Sequence, residues 1–212
     1  MKGNTGFSWD LYKTMPIVGI IRGQSMQRVR WIAEICQQEG FNTLEVTLNT
    51  ENAGQIIAAI RTEFPDMNVG AGTVCNMDDL NLALEAGAQF IVTPIIDEKV
   101  ISTTVERGIP IFPGAYTPSE IYRAWQLGAS AVKVFPASQL GTQYIKEVLA
   151  PLDQVKLLPT GGVSIQNIRS FFQVGAFGVG MGSALFNKEM VNTGDTEAFQ
   201  EHLQKFKQEV NR

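Results

Sequence analysis

The 212-residue chain is 44% hydrophobic and 18% charged, which is ordinary globular material able to bury one large core. Its formal net charge of −4 argues against a polyanionic partner, so nucleic acid is not expected, while a local basic pocket for a small anion stays compatible with it. No apolar run reaches the roughly 18 residues that cross a bilayer, and the N-terminal MKGNTGFSWDLYK has no signal-like apolar core, so the expectation is a soluble, cytoplasmic chain without a membrane partner.

In chain order, short β-like runs alternate with longer amphipathic ones. The predicted strands are Ile17–Arg22, Thr43–Leu48, Asn68–Thr73, Phe90–Thr93, Pro110–Pro113, Ala131–Phe135, Lys156–Thr160 and Phe177–Gly180. Predicted helices fall at Gln27–Glu39, Ala53–Glu63, Asp78–Glu85, Glu98–Glu106, Pro118–Gln126, Gln143–Leu149 and Ile165–Gln173. A short helix precedes the first strand, and EAFQEHLQKFKQEV reads as a solvated C-terminal helix carrying the only histidine, His202. Glycine follows several helices, at Gly40, Gly87, Gly108 and Gly128, as a left-handed cap would require. No linker or low-complexity segment interrupts the series. Eight β/α units in ~200 residues fit an α/β fold of the (β/α)8 TIM-barrel type, a single domain over 1–212, with a doubly wound sheet as the competing architecture.

In such barrels the reacting groups sit at the C-terminal ends of the strands. Alternation in TLEVTLN puts Leu44, Val46 and Leu48 on one face and Glu45, Thr47 and Asn49 on the other. In AVKVF the valines face outward, and Lys133 points inward with Ala131 and Phe135. Lysine is almost never buried in a strand covered on both faces unless something compensates its charge. Two readings follow: a structural ion pair with Glu45, or a nucleophile. In the second, burial favours the free amine, which condenses with a ketone, and the resulting iminium lets the carbon–carbon bond beyond the α-carbon break. Glu45 is the inward carboxylate able to move the protons, whereas Asp97 and Glu98 read as a turn or helix cap.

Glycines cluster after the last two strands, in PTGGVS (Pro159–Ser164) and GVGMGSALF (Gly178–Phe186). There, backbone N–H groups and helix N-termini can hold an anion, and barrels frequently bind phosphate at these two loops. Cys36 and Cys75 lack CxxC spacing and read as reduced, buried thiols; with one histidine no metal site is expected. A phosphate-binding epimerase or isomerase, or a non-catalytic sugar-phosphate sensor, would share the glycine loops but has no need of a buried lysine opposite a glutamate.

The motifs LEVTLNT, VGAGTV, IVTP, VKVFPAS, LLPTGGVS and GMGSALF, in this order and spacing, resemble the 2-keto-3-deoxy-6-phosphogluconate (KDPG) / 4-hydroxy-2-oxoglutarate aldolase family from about Leu11 to Phe186. The resemblance implies a metal-free and cofactor-free class I aldolase, usually a homotrimer, acting on a small phosphorylated keto acid and releasing pyruvate. By position it implies Lys133 as the Schiff-base lysine and Glu45 as the acid/base acting through water. Thr73 and Pro94 match residues lining the pyruvate pocket, and Phe135 matches a side chain beside the lysine. Gly161, Gly162, Gly182 and Ser183, with Thr160 before them, match the phosphate cradle. Many members carry an arginine where this chain has Asn49. That asparagine, IIRG at Ile20–Gly23 and FPASQLGTQYIK are more similar to the 2-keto-3-deoxy-6-phosphogalactonate branch. Arg22 ends the first strand with the parity of Val18 and Ile20, and is therefore the expected cation for the substrate carboxylate.

Overall fold

A computed structural model describes residues 6–210; the two ends of the 1–212 domain reading, 1–5 and 211–212, lie outside the described residues. The helix α1 (Trp9–Thr14) leads into β1 (Ile17–Ile21), α2 (Met26–Glu39), β2 (Thr43–Thr47), α3 (Ala53–Glu63), β3 (Asn68–Gly72), α4 (Met77–Glu85), β4 (Ile91–Val92), α5 (Glu98–Glu106) and β5 (Ile111–Phe112). Then come β6 (Gly114–Ala115), α6 (Pro118–Gln126), β7 (Val132–Val134), α7 (Gly141–Leu149), β8 (Leu157–Pro159), α8 (Ile168–Gln173), β9 (Val179–Met181), α9 (Lys188–Thr193) and α10 (Thr196–Val210). The glycines read as caps do adopt left-handed backbone, with φ of 85° at Gly40, 80° at Gly87, 68° at Gly108 and 93° at Gly128.

Every strand pair is parallel, in a curled sheet of two sections ordered β5-β4-β3-β2-β1-β9 and β6-β7-β8. One junction is the parallel bridge between Thr160 and Gly180. The other is Pro113, where the predicted fifth strand divides. Proline has no N–H for the ladder, so β5 and β6 flank it, while its carbonyl accepts from the Lys133 amide at 2.8 Å. The predicted helix Ile165–Gln173 also begins later, at Ile168. The Ser164 carbonyl accepts from both Asn167 N (3.2 Å) and Ile168 N (2.9 Å), which tightens the first turn toward 3₁₀ geometry.

The alternation of the strands divides the apolar residues into two layers. Ile17, Ile21, Leu44, Val46, Val132, Val134 and Leu157 pack outward with the helices. Val18, Phe90, Val92, Phe112, Ala131 and Leu158 form a separate inner cluster with Tyr12 of α1. Helix α1 seats at the N-terminal ends of the strands. Asn68, fully buried at the start of β3, accepts from Ser8 N at 2.7 Å and donates to Ser8 O at 2.9 Å, and Gln89 donates to Gly6 O at 2.8 Å. The Tyr12 ring lies 5.5 Å from Phe177, completing an aromatic closure of that end.

The C-terminal helix departs from the solvated reading. In α10 the stripe Phe199, Leu203 and Phe206 is buried, and Phe199 stacks on Trp31 of α2 at 5.2 Å. His202 is half-buried, with Nε2 2.8 Å from the Ala184 carbonyl. Charged residues crowd the opposite face, and they outnumber the buried stripe in the sequence.

The Tyr12 hydroxyl is buried without a hydrogen-bond partner among the described residues. An unsatisfied buried hydroxyl costs about 1–3 kcal/mol, so Tyr12→Phe is expected to raise unfolding free energy by about 1 kcal/mol in a urea titration. A loss of stability would show that the hydroxyl is satisfied.

Candidate active site

Glu45 sits at the centre of β2, in register with Ile20 of β1 and Gly70 of β3. Lys133 sits at the centre of β7, in register with Gly114 of β6 and Leu158 of β8. Exposures of 1% and 6% take both side chains out of bulk water. Two glycines make the room. A Cβ at Gly72 would collide with the Glu45 carboxyl, and one at Gly114 would collide with the Pro94 backbone.

Burial dominates the electrostatics of the pair and drives both groups toward their neutral forms. Desolvation raises the Glu45 carboxyl above the usual carboxylate range, and the nearby charges of Lys133 and Arg22 pull it part of the way back. Desolvation likewise lowers the Lys133 amine, Glu45 opposes that shift, and Arg22 reinforces it. Glu45 Oε2 has no hydrogen-bond partner among the described residues. A buried carboxyl oxygen left open in this way is costly for folding alone and suits a group that must exchange protons.

The other predicted residues divide by position. Phe135 is exposed beyond β7, with the Lys133 Nζ 4.9 Å from its ring centroid. Pro94 lies against Gly114, the register neighbour of Lys133. Thr73 follows β3 with φ of 59°, a left-handed conformation that a β-branched residue rarely adopts. Thr160 is buried, its hydroxyl donating to Leu158 O at 3.2 Å. Arg22 is exposed just past β1, and its charge acts on both Glu45 and Lys133.

Two expectations are corrected. Asn49 does not continue the inward face of Glu45 and Thr47. Strand β2 stops at Thr47, the Thr50 amide donates back to Thr47 O at 2.9 Å, and this turn leaves Asn49 exposed. Within the same turn Thr50 is buried and accepts from Gly23 N at 2.9 Å, tying the loop that carries Arg22 to the end of β2. Cys75 is not a buried thiol: it sits half-exposed in the loop after β3, its amide donating to Asp79 Oδ2 at 2.8 Å, while Cys36 is buried as expected.

Beside Phe135, the ring next to Lys133, a cavity of about 750 Å³ opens over the ends of β1, β7, β8 and β9; Lys133, Glu45, Thr73 and Pro94 are not among its lining residues. It is lined by Arg22–Gln24, Phe135, Thr160–Ser164 and Gly180–Ala184, with Lys188 and Asn192 of α9 at one side. Gly161, Gly162, Gly182 and Ser183 are thereby brought together, as predicted. A Cβ on Gly162, whose φ is 75°, would press on Ser138, so this loop approaches the one following β7 as closely as glycine allows. After β9, Leu185 N and Phe186 N both donate to Gly182 O, so the glycine opens one helical turn rather than a full helix. Sequence reasoning missed the packing roles of Gly72 and of Gly114, which it read only as a strand end, and it missed Lys188. The first two are visible only once their partners across the sheet are known, and Lys188 carries the faint signal of beginning the helix after the last glycine loop.

Residues 10–202 match the family model for KDPG and KHG aldolase. The chain is 35% identical over 187 residues to the KHG/KDPG aldolase of Escherichia coli K12, covering 88% of each protein. It is 34% identical over 174 residues to the 2-dehydro-3-deoxy-6-phosphogalactonate aldolase of the same organism, covering 81% of this chain and 85% of that one. A crystal structure of Legionella pneumophila KDPG aldolase, with pyruvate captured as a covalent carbinolamine, superposes with a TM-score of 0.84 at 27% identity, covering 91% of this chain and 94% of the other.

Titration of the Lys133 side chain by NMR is expected to give a midpoint below the ordinary lysine value of ~10.4. Removing the opposing charge in Glu45→Gln lowers the midpoint further, whereas Arg22→Ala raises it. A wild-type midpoint at or above the ordinary value would contradict a site governed by burial.

Proposed function

The chain belongs to the KDPG and KHG aldolase family, and from that premise we propose that it is a class I aldolase cleaving 2-keto-3-deoxy-6-phosphogluconate to pyruvate and glyceraldehyde 3-phosphate. The observation that carries this reading is a lysine held 6% exposed beside a buried carboxyl on the inner face of the sheet. The Lys133 amine attacks the C2 ketone, water leaves, and an iminium forms. Glu45, through a water molecule, accepts the C4 hydroxyl proton. The C3–C4 electron pair then moves into the iminium, leaving an enamine and releasing the aldehyde. Protonation at C3 and hydrolysis return the free amine and pyruvate. Thr73 and Pro94 flank the pyruvate moiety, Phe135 covers the lysine, and Thr160, Gly161, Gly162, Gly182 and Ser183 receive the phosphate.

Arg22 supplies the cation for the C1 carboxylate, a role supported by its place in the cavity lining and its charge acting on the catalytic pair. The asparagine at position 49, IIRG at Ile20–Gly23 and the similarity to a 2-dehydro-3-deoxy-6-phosphogalactonate aldolase support a second reading in which the 4-epimer, 2-keto-3-deoxy-6-phosphogalactonate, is the better substrate. The ratio of kcat/KM for the two epimers decides between them; 4-hydroxy-2-oxoglutarate is a further candidate for the same assay.

We read the two sheet sections, joined by the Thr160–Gly180 bridge and by Pro113, as one eight-unit barrel and one domain over 1–212. Exposed Ile95, Tyr116 and Tyr122 support association of this chain as a trimer. Light scattering should give three chain masses; a monomer mass would contradict it. Among the described residues no helix is long and apolar enough to cross a membrane.

Lys133→Ala is expected to abolish cleavage. Lys133→Arg does no better, because a guanidinium stays protonated and forms no imine. Glu45→Gln is expected to lose about 10²–10⁴-fold in kcat. Arg22→Ala is expected to raise KM for the keto acid by roughly ten- to a hundredfold, the worth of a hydrogen bond to a charged group. Wild-type turnover in either lysine variant overturns the mechanism.

A further inference from the structure

We propose that Lys188 is the residue that makes the site prefer a phosphorylated substrate, an inference that rests on the aldolase reading above. The cavity is lined by two charged side chains, Arg22 and Lys188, both cations. A phosphorylated keto acid is likewise charged at two ends. Arg22 belongs to the end with the reacting pair, since its charge acts on both Glu45 and Lys133. Lys188 opens α9, two residues beyond the loop that ends at Phe186, and so borders the glycine-lined end.

The glycine loops offer hydrogen bonds but no net charge, and removing a phosphate dianion from water without a cation is expensive. Lys188 is free to supply one: it has no ion-pair or hydrogen-bond partner among the described residues. The neighbouring Arg28 is committed elsewhere, donating to Asn192 O at 3.0 Å and lying 5.6 Å over the Trp31 ring. Nor does Lys188 serve its own helix. Asn187 already caps α9 by accepting from Glu189 N at 2.9 Å and Met190 N at 3.3 Å, and a cation in a first turn opposes the helix dipole.

The test compares 2-keto-3-deoxy-6-phosphogluconate with the same keto acid lacking phosphate. In Lys188→Ala, KM for the phosphorylated compound is expected to rise roughly tenfold with kcat retained, while KM for the other moves less than about twofold; Lys188→Arg keeps the preference. The preference also weakens with added salt in the wild type and less so in Lys188→Ala. Calorimetric binding of inorganic phosphate provides an arm that needs no catalysis: Lys188→Ala weakens it by a similar factor. If the wild type fails to turn over either keto acid, the aldolase reading falls and the phosphate arm alone decides Lys188. Equal KM changes on both substrates, or unchanged phosphate affinity, overturn the proposal.

Discussion

Lys133 and Glu45 share one desolvated interior, and much of the surrounding structure answers to that constraint. Each group alone would be a costly buried charge; together they can exist as a neutral amine and a neutral acid, or as an ion pair with the same proton count. Such a pair requires rigid walls that keep water scarce. Parallel strands buried on both faces provide them, with helices outside and the Tyr12, Phe90 and Phe112 cluster closing the end away from the cavity. Gly72 and Gly114 belong to the same requirement, since a methyl group at either position would claim the space of the carboxyl or of Pro94.

The proposed mechanism places chemistry and recognition in different parts of the fold. Lys133 and Glu45 stand inside strands, buried among their neighbours. The groups we propose for anion binding stand on the loops beyond those strands, where backbone can approach a ligand and the exposed side chains of Arg22 and Lys188 keep contact with water. Thr73 marks the boundary, a β-branched residue held at positive φ where β3 gives way to its loop.

How much of this was legible in the sequence depends on what each feature needs. Period-two alternation suffices to aim Lys133 and Glu45 inward, because a one-residue shift would have buried the opposite set. Glycine after a predicted strand suffices to find both loops that line the cavity. Alternation misleads at Asn49, since strand geometry ends two residues earlier and parity has no meaning in a turn. Pro113 divides a strand that hydrophobicity alone reads as continuous. The buried stripe of α10 is masked by its charges, and Gly72 looks like any strand glycine until Glu45 is placed beside it. These are contacts between segments distant in sequence, which local patterns do not encode.

The central claim is that burial leaves Lys133 with an amine that condenses with a keto acid. Borohydride reduction in the presence of pyruvate, followed by peptide mass spectrometry, tests it most directly. The account predicts one stable pyruvate-derived mass on the peptide containing Lys133, dependent on both reagents. No adduct, or one on exposed lysines alone, would contradict it.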